Sequence, residues 1–199
     1  MCPRTQEQNE EIRRSRIRQI QKAAAEVFLT KGILMEIRDV AVQAGLGYGT
    51  VYHYYKNKQV LFADLMNEAL EHMQGQLSEA LRHGGTPNQR LRRASRTLLT
   101  SWMQHPGTFI LFKMMSEDLL LLPPERFNQL EKQFDQQLYQ PIVRLFREQR
   151  SASESKKAEW LANILLGSLV GSAGLYMHRR RHDLDVDGTI DALFAGIAE

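Results

Sequence analysis

From residue 13 almost to the C-terminus, apolar residues recur at three- and four-residue steps, and no stretch sustains a two-residue alternation. That spacing gathers side chains into a stripe along a helix and denies a sheet its inward face, so it confines the chain to an all-α fold. Over 13–31, Ile17, Ile20, Ala24, Val27 and Phe28 form one such stripe with arginines opposite, and Gly32 is suited to end the helix. Two short helices are expected over about 37–44 and 48–54, separated by Gly45. A longer one starts from a cap at Asn57 and carries Val60, Leu61, Leu65, Leu70 and Leu77. His83-Gly84-Gly85-Thr86-Pro87 breaks the chain. Helices are then expected over about 88–104, 108–121, 124–150, 153–178 and 187–197, about nine in all. Pro141 should kink or split the 124–150 helix.

The 199 residues suffice for a small domain and a larger one, divided near residue 57 with the helix after Asn57 as a shared strut. Residues 1–57 are expected to form the first domain and 58–199 the second. The net charge of +3 is unevenly placed: residues 1–60 hold ten Lys/Arg against six Asp/Glu, and the rest of the chain balances at −1. The excess lies where a phosphate backbone can use it, although a solvated surface accounts for it equally well. A single cysteine, Cys2, excludes an intramolecular disulfide and a cysteine-rich metal site, and fits a reducing cytoplasm. The first twenty residues contain no apolar signal region.

The segment 38–58, RDVAVQAGLGYGTVYHYYKNK, has the parts of a helix-turn-helix, placed at about 37–55. Ala41 and Ala44 are small enough for close packing, Gly45 tolerates a positive φ, and Val51 and Tyr55 give the second helix an inner face. Tyr48, Gly49, Thr50 and His53 are left to point outward. Taken from Ala24 to Leu61, the string AAAEVFLTKG followed by DVAVQAGLGYGTVYHYYKNKQVLF resembles the N-terminal domain of TetR-family transcriptional regulators. Ala24, Phe28, Gly32, Val40, Ala41, Ala44, Gly45, Gly49, Thr50, Val51, Tyr52, Tyr55, Lys58 and Leu61 stand in the family's order and spacing.

The resemblance implies that Thr50, Tyr52 and Lys58 hold DNA phosphates, the last from a helix start whose free N–H groups also favour an anion. It implies that Arg38 reads guanine in the groove and that Tyr48 touches bases, its ring suited to a thymine methyl. Simpler roles stand beside these: Tyr52 and Tyr55 as core aromatics, Lys56 as a solvated charge, Arg38 paired with an acid. Two positions depart from the family. Where Ser or Thr commonly caps the first helix of the motif, this chain has Met35-Glu36, and Glu36 complements the helix dipole but repels a phosphate. Where serine caps the reading helix stands Gly47, a weaker cap.

The family's organisation implies a larger effector-binding and dimerisation domain. Gly167, Gly171 and Gly174 allow close approach of two helix backbones, Leu165 adds apolar area, and Leu193 and Phe194 extend the expected dimer interface; an internal core helix is the alternative. The run 160–177 also invites a membrane reading, but a span needs about 20 predominantly apolar residues, and Asn163, Ser168 and Ser172 interrupt this one. Trp102, Met103, Phe109, Phe112, Met115 and Phe134 concentrate adaptable and aromatic surface suited to a small apolar or amphipathic effector, or equally to an ordinary core. No phosphate-binding, metalloprotease or nucleophile motif is present, and no histidines recur at metal-ligand spacing, so neither enzyme nor cofactor is expected. The expected protein is a cytoplasmic homodimeric repressor on a palindromic operator, released by an unknown small molecule. A protein partner that gates DNA binding without a ligand is the rival reading.

Overall fold

The computed structural model describes residues 6–117, 121–149, 155–179 and 184–197. Every regular element among them is helical: α1 (Gln6–Lys31), α2 (Ile37–Ala44), α3 (Tyr48–Tyr54), α4 (Lys58–Arg82), α5 (Pro87–Gln104), α6 (Pro106–Glu117), α7 (Pro124–Phe134), α8 (Gln140–Glu148), α9 (Ser155–Arg179) and α10 (Val186–Ile197). A 3-10 turn, Gly32–Leu34, follows α1, and a π turn, Asp135–Tyr139, joins α7 to α8 without a break. Counting that continuous run once, the described residues hold nine helical bodies. The expected helix start at Ser153 lies outside the described residues.

The chain divides into two units. The first holds the described residues up to Leu65 together with Leu121–Pro123. Its core is the α1 stripe of Ile20, Ala24, Val27 and Phe28 with Val40, Ala41, Val51, Leu61 and Phe62, all buried. The division falls inside α4 rather than near residue 57, and the packing explains it. The Phe28 and Phe62 rings lie 4.9 Å apart, and Gln21 Nε2 donates to Asp64 Oδ2 at 3.1 Å, so the first turns of α4 belong with α1. Val60, expected on the buried stripe of α4, is exposed.

Sequence-readable caps set the element ends. Gly45 takes φ 63°, its N–H bonds Val42 O at 3.1 Å, and the next N–H, of Leu46, bonds Ala41 O at 2.9 Å. This pair of bonds closes a helix on a left-handed residue, which explains why glycine stands there. Asn57 Oδ1 accepts the Val60 N–H at 2.9 Å and caps α4. Thr86 and Gln89 cap α5 reciprocally, with Pro87 at its first turn.

In the second unit α5 is the central helix, packed on α6, α8, α9 and α10. It buries Leu91, Ala94, Leu98, Leu99 and Trp102, more than one stripe, because it has neighbours on several sides. The Arg93 side chain bonds the carbonyls of Ala80, His83 and Gly84, tying α5 to the C-terminal end of α4. Pro141 neither splits nor ends its helix. It follows the π turn, in which the Gln140 N–H reaches back to Asp135 O, so the widened turn sits just ahead of the residue that lacks a donor.

Candidate functional site

The outward face of α3 is open. Tyr48 is 51% exposed and Tyr52 42%, and Gly49, Thr50 and His53 are exposed with them. Val51 and Tyr55, the expected inner face, are buried. The Tyr55 hydroxyl hydrogen-bonds Asp64 Oδ2, and burial followed by that bond pushes its pKa far above the usual tyrosine value. Tyr55 is therefore a structural anchor at the end of α3. Tyr52 is not a core residue: its ring stacks on Tyr48 with 5.7 Å between centroids, and Lys56 Nζ lies over the Tyr52 ring, 4.7 Å from its centroid. Tyr48, Tyr52 and Lys56, four residues apart, thus form an exposed aromatic ladder ending in a cation.

Gly49 has open space where a Cβ would stand, so nothing inside the unit requires a glycine. Arg38 is exposed at the start of α2. Its neighbour Asp39 accepts a hydrogen bond from Lys31 Nζ at 2.6 Å, which holds the Asp39 carboxyl below its ordinary pKa, and also accepts the Glu36 N–H at 3.1 Å. Lys58 differs from the other predicted contacts. Its Nζ donates to Ile33 O at 3.2 Å and to Glu36 Oε1 at 3.0 Å, so this half-buried lysine is already engaged. Sequence reading noted Glu36 and Lys58 separately; their 22-residue separation left no signal that they meet.

In the second unit, Trp102, Phe109, Phe112 and Phe134 come together. Trp102 meets Phe109 and Phe112 at 6.0 and 4.9 Å between centroids, and Phe112 meets Phe134 at 4.9 Å. The Trp102 indole N–H is fully buried with no hydrogen-bond partner. Met103, predicted with this group, is exposed on the outer side of α5, and Met115 is half-buried. A groove of about 460 Å³ that sequence reading missed opens beside Gln76, Glu79, Thr97, Ser101 and Gln104. The polar positions 97, 101 and 104, three or four apart on α5, were its available signal.

Residues 20–65 match the family model described as bacterial regulatory proteins, tetR family. Over that N-terminal stretch the chain is similar to the tetR family. No curated protein matches it in sequence. Its fold is that of several solved structures. AibR in complex with isovaleryl coenzyme A and operator DNA is 15% identical with a TM-score of 0.70, over 90% of this chain and 97% of that one. A TetR-like transcriptional regulator from Rhodococcus sp. RHA1 is 22% identical with a TM-score of 0.68, over 91% and 94%. FadR from Bacillus subtilis in complex with stearoyl-CoA is 19% identical with a TM-score of 0.65, over 90% and 98%.

The residues predicted for a dimer interface separate into two groups. Gly167 and Gly171 are exposed, with open space at the Cβ position, and lie on one side of α9 with the exposed Trp160, Ile164 and Leu175. Leu193 is half-buried on α10. Leu165 and Phe194 do not belong to that side: they are 1% and 3% exposed within the single chain and have no surface left to offer. Leu165 lies on the side of α9 packed into its own unit, and Phe194 is covered by the Arg92 guanidinium 5.1 Å from its ring centroid. Gly174 also turns inward, where a Cβ would meet the Phe109 ring at 3.5 Å. The helix does satisfy the length and composition of a membrane span over Lys157–Met177, but Ala158, Leu161, Ala162, Leu169 and Ala173 are already buried in the protein.

Proposed function

We propose that the protein is a homodimeric transcriptional repressor that holds a palindromic operator through α3 and releases it when an apolar or amphipathic effector occupies the second unit. The observation that carries DNA binding is the face of α3: Tyr48, Gly49, Thr50, Tyr52 and His53 exposed together while Val51 and Tyr55 anchor the helix from behind. Such a helix can enter the major groove with its phosphate-binding and base-reading side chains free. Arg38 is an exposed cation that adds to this face, and Lys58 adds to it once released from Glu36. A two-fold dimer built on Trp160, Ile164, Gly167, Gly171 and Leu175 would pair two α3 helices for a palindromic operator, whose successive major grooves lie about 34 Å apart.

The effector reading rests on the unpartnered Trp102 N–H among Phe109, Phe112 and Phe134. A buried donor left unpaired costs about 1–3 kcal/mol, which a ligand acceptor placed there recovers. The favoured effector therefore has an apolar body carrying a carbonyl or similar acceptor. Acyl thioesters are the first class to test, since isovaleryl coenzyme A and stearoyl-CoA are bound by two proteins of this fold. The ligand lowers operator affinity only to the extent that it binds the two states differently. Footprinting on the DNA around the protein's own gene tests the whole reading. A protected palindrome, weakened at least tenfold by Tyr52→Phe with Lys58→Ala, supports it; unchanged affinity of that double variant removes the phosphate-contact assignment.

A further inference from the structure

The carboxylate at position 36 and the ammonium at position 58 meet where the start of α2 approaches the start of α4. Glu36 precedes α2 in an extended conformation, and its N–H is fixed by Asp39. Its side chain is 65% exposed, whereas that of Lys58 is 23% exposed. Lys58 Nζ is shared between Glu36 Oε1 and Ile33 O. An ammonium has three donors, and two of these are in use. A phosphate approaching the first turn of α4 therefore finds the lysine neutralised by a carboxylate that itself repels the incoming anion.

We infer that Glu36 competes with the DNA backbone for Lys58, so that their ion pair opens when DNA binds and Glu36 sets a ceiling on DNA affinity. This rests on the proposed DNA-binding face, but it concerns a residue outside α3 and a contact that exists before DNA arrives. An exchange of this kind has a thermodynamic signature. If the pair is lost in the complex, its strength appears as coupling between positions 36 and 58 in the binding free energy; if it persists, the two charges act on DNA independently. Partly exposed ion pairs are weak enough to be displaced, and charge-assisted contact to phosphate is strong enough to displace them.

The test is a double-mutant cycle of wild type, Glu36→Gln, Lys58→Ala and the double variant. Each is titrated by fluorescence anisotropy into a labelled duplex of about 30 base pairs, which suffices because phosphate contacts act on any sequence. Thermal melts verify that each variant folds. Glu36→Gln is expected to tighten binding about three- to tenfold and to steepen the dependence of log K on log salt by roughly one counterion. In the Lys58→Ala background the same substitution should gain at most about half that factor, since no ion pair remains to be opened. An equal factor in both backgrounds overturns the competition, as does weaker binding by Glu36→Gln. Failure of wild type to bind the duplex at low salt instead overturns the DNA-binding reading itself, so the two failures are distinguishable.

Discussion

The two units differ in where they leave polar groups unfinished. In the first, the demanding groups are paired: the Tyr55 hydroxyl and Gln21 amide both reach Asp64, and Lys31 reaches Asp39. In the second, five buried side-chain atoms among the described residues have no partner: His72 Nε2, Gln76 Oε1, Arg90 Nε, Ser95 Oγ and Trp102 Nε1. All five lie on α4 beyond Leu65 or on α5. A unit whose interior is satisfied offers function only at its surface. A unit with unpaired donors and acceptors inside has interactions in reserve for something that enters. The contrast is the one expected if, as proposed, the first unit binds DNA through its surface and the second takes up an effector.

The strongest way to break this contrast is through Trp102. Replacing it by alanine empties a fully buried site and should destabilise the second unit by about 3–5 kcal/mol in denaturant titrations. The informative comparison is between two smaller changes, one at a paired group and one at an unpaired group. Tyr55→Phe removes a paired hydroxyl and should cost about 1–2 kcal/mol, whereas Trp102→Phe deletes an unpaired N–H and should cost far less than Trp102→Ala despite the lost ring area. If Trp102→Phe proves as costly as alanine, the indole N–H has a partner and the reserve is not there. The same variant should weaken the effector's release of DNA, measured by anisotropy with an acyl thioester.

Gly171→Glu probes the other surface. Space is open at that Cβ, so the fold should survive within about 0.5–1 kcal/mol while sedimentation shows monomer in place of dimer. The smallest effect concerns pH. Burial, with a further contribution from His105 at 4.3 Å between ring centroids, lowers the pKa of His72, while Glu68 acts the other way. A histidine with a lowered folded pKa binds its proton more readily when unfolded. Stability is thus complete above the unfolded value near 6.5 and declines as pH falls below it toward the folded pKa. Melting temperature should fall over that window in wild type and less so in His72→Gln.

Much of the first unit was legible because its signals are local. Gly45, Asn57 and the stripe from Ile20 to Phe28 act through neighbours a few residues away, and each adopts the conformation that its chemistry favours. The α3 face was legible for the same reason: Val51 and Tyr55, four apart, settle which side remains open. The orientation of α9 was not. A helix carrying leucine, alanine and glycine around much of its circumference does not declare an inner side, and so Leu165 and Gly174 were assigned to a surface that they do not face. The ion pair of Glu36 with Lys58 was invisible for a different reason. Its partners are joined only by tertiary structure, and each has a sufficient local role as helix-start residue and solvated cation.

The π turn between α7 and α8 has a consequence for how this chain tolerates length changes. A π turn accommodates one residue more than an α-helix needs while the flanking segments keep their facing. Removing a residue such as Gln136 would relax residues 135–139 into ordinary α geometry, leaving Phe134 before it and Ile142, Val143 and Phe146 after it on their present sides. A deletion elsewhere in the same helix would rotate everything downstream by about 100°, the angular step of one residue at 3.6 per turn. Residues 135–139 therefore mark a natural indel site, a place where chain length can vary by one without disturbing the core.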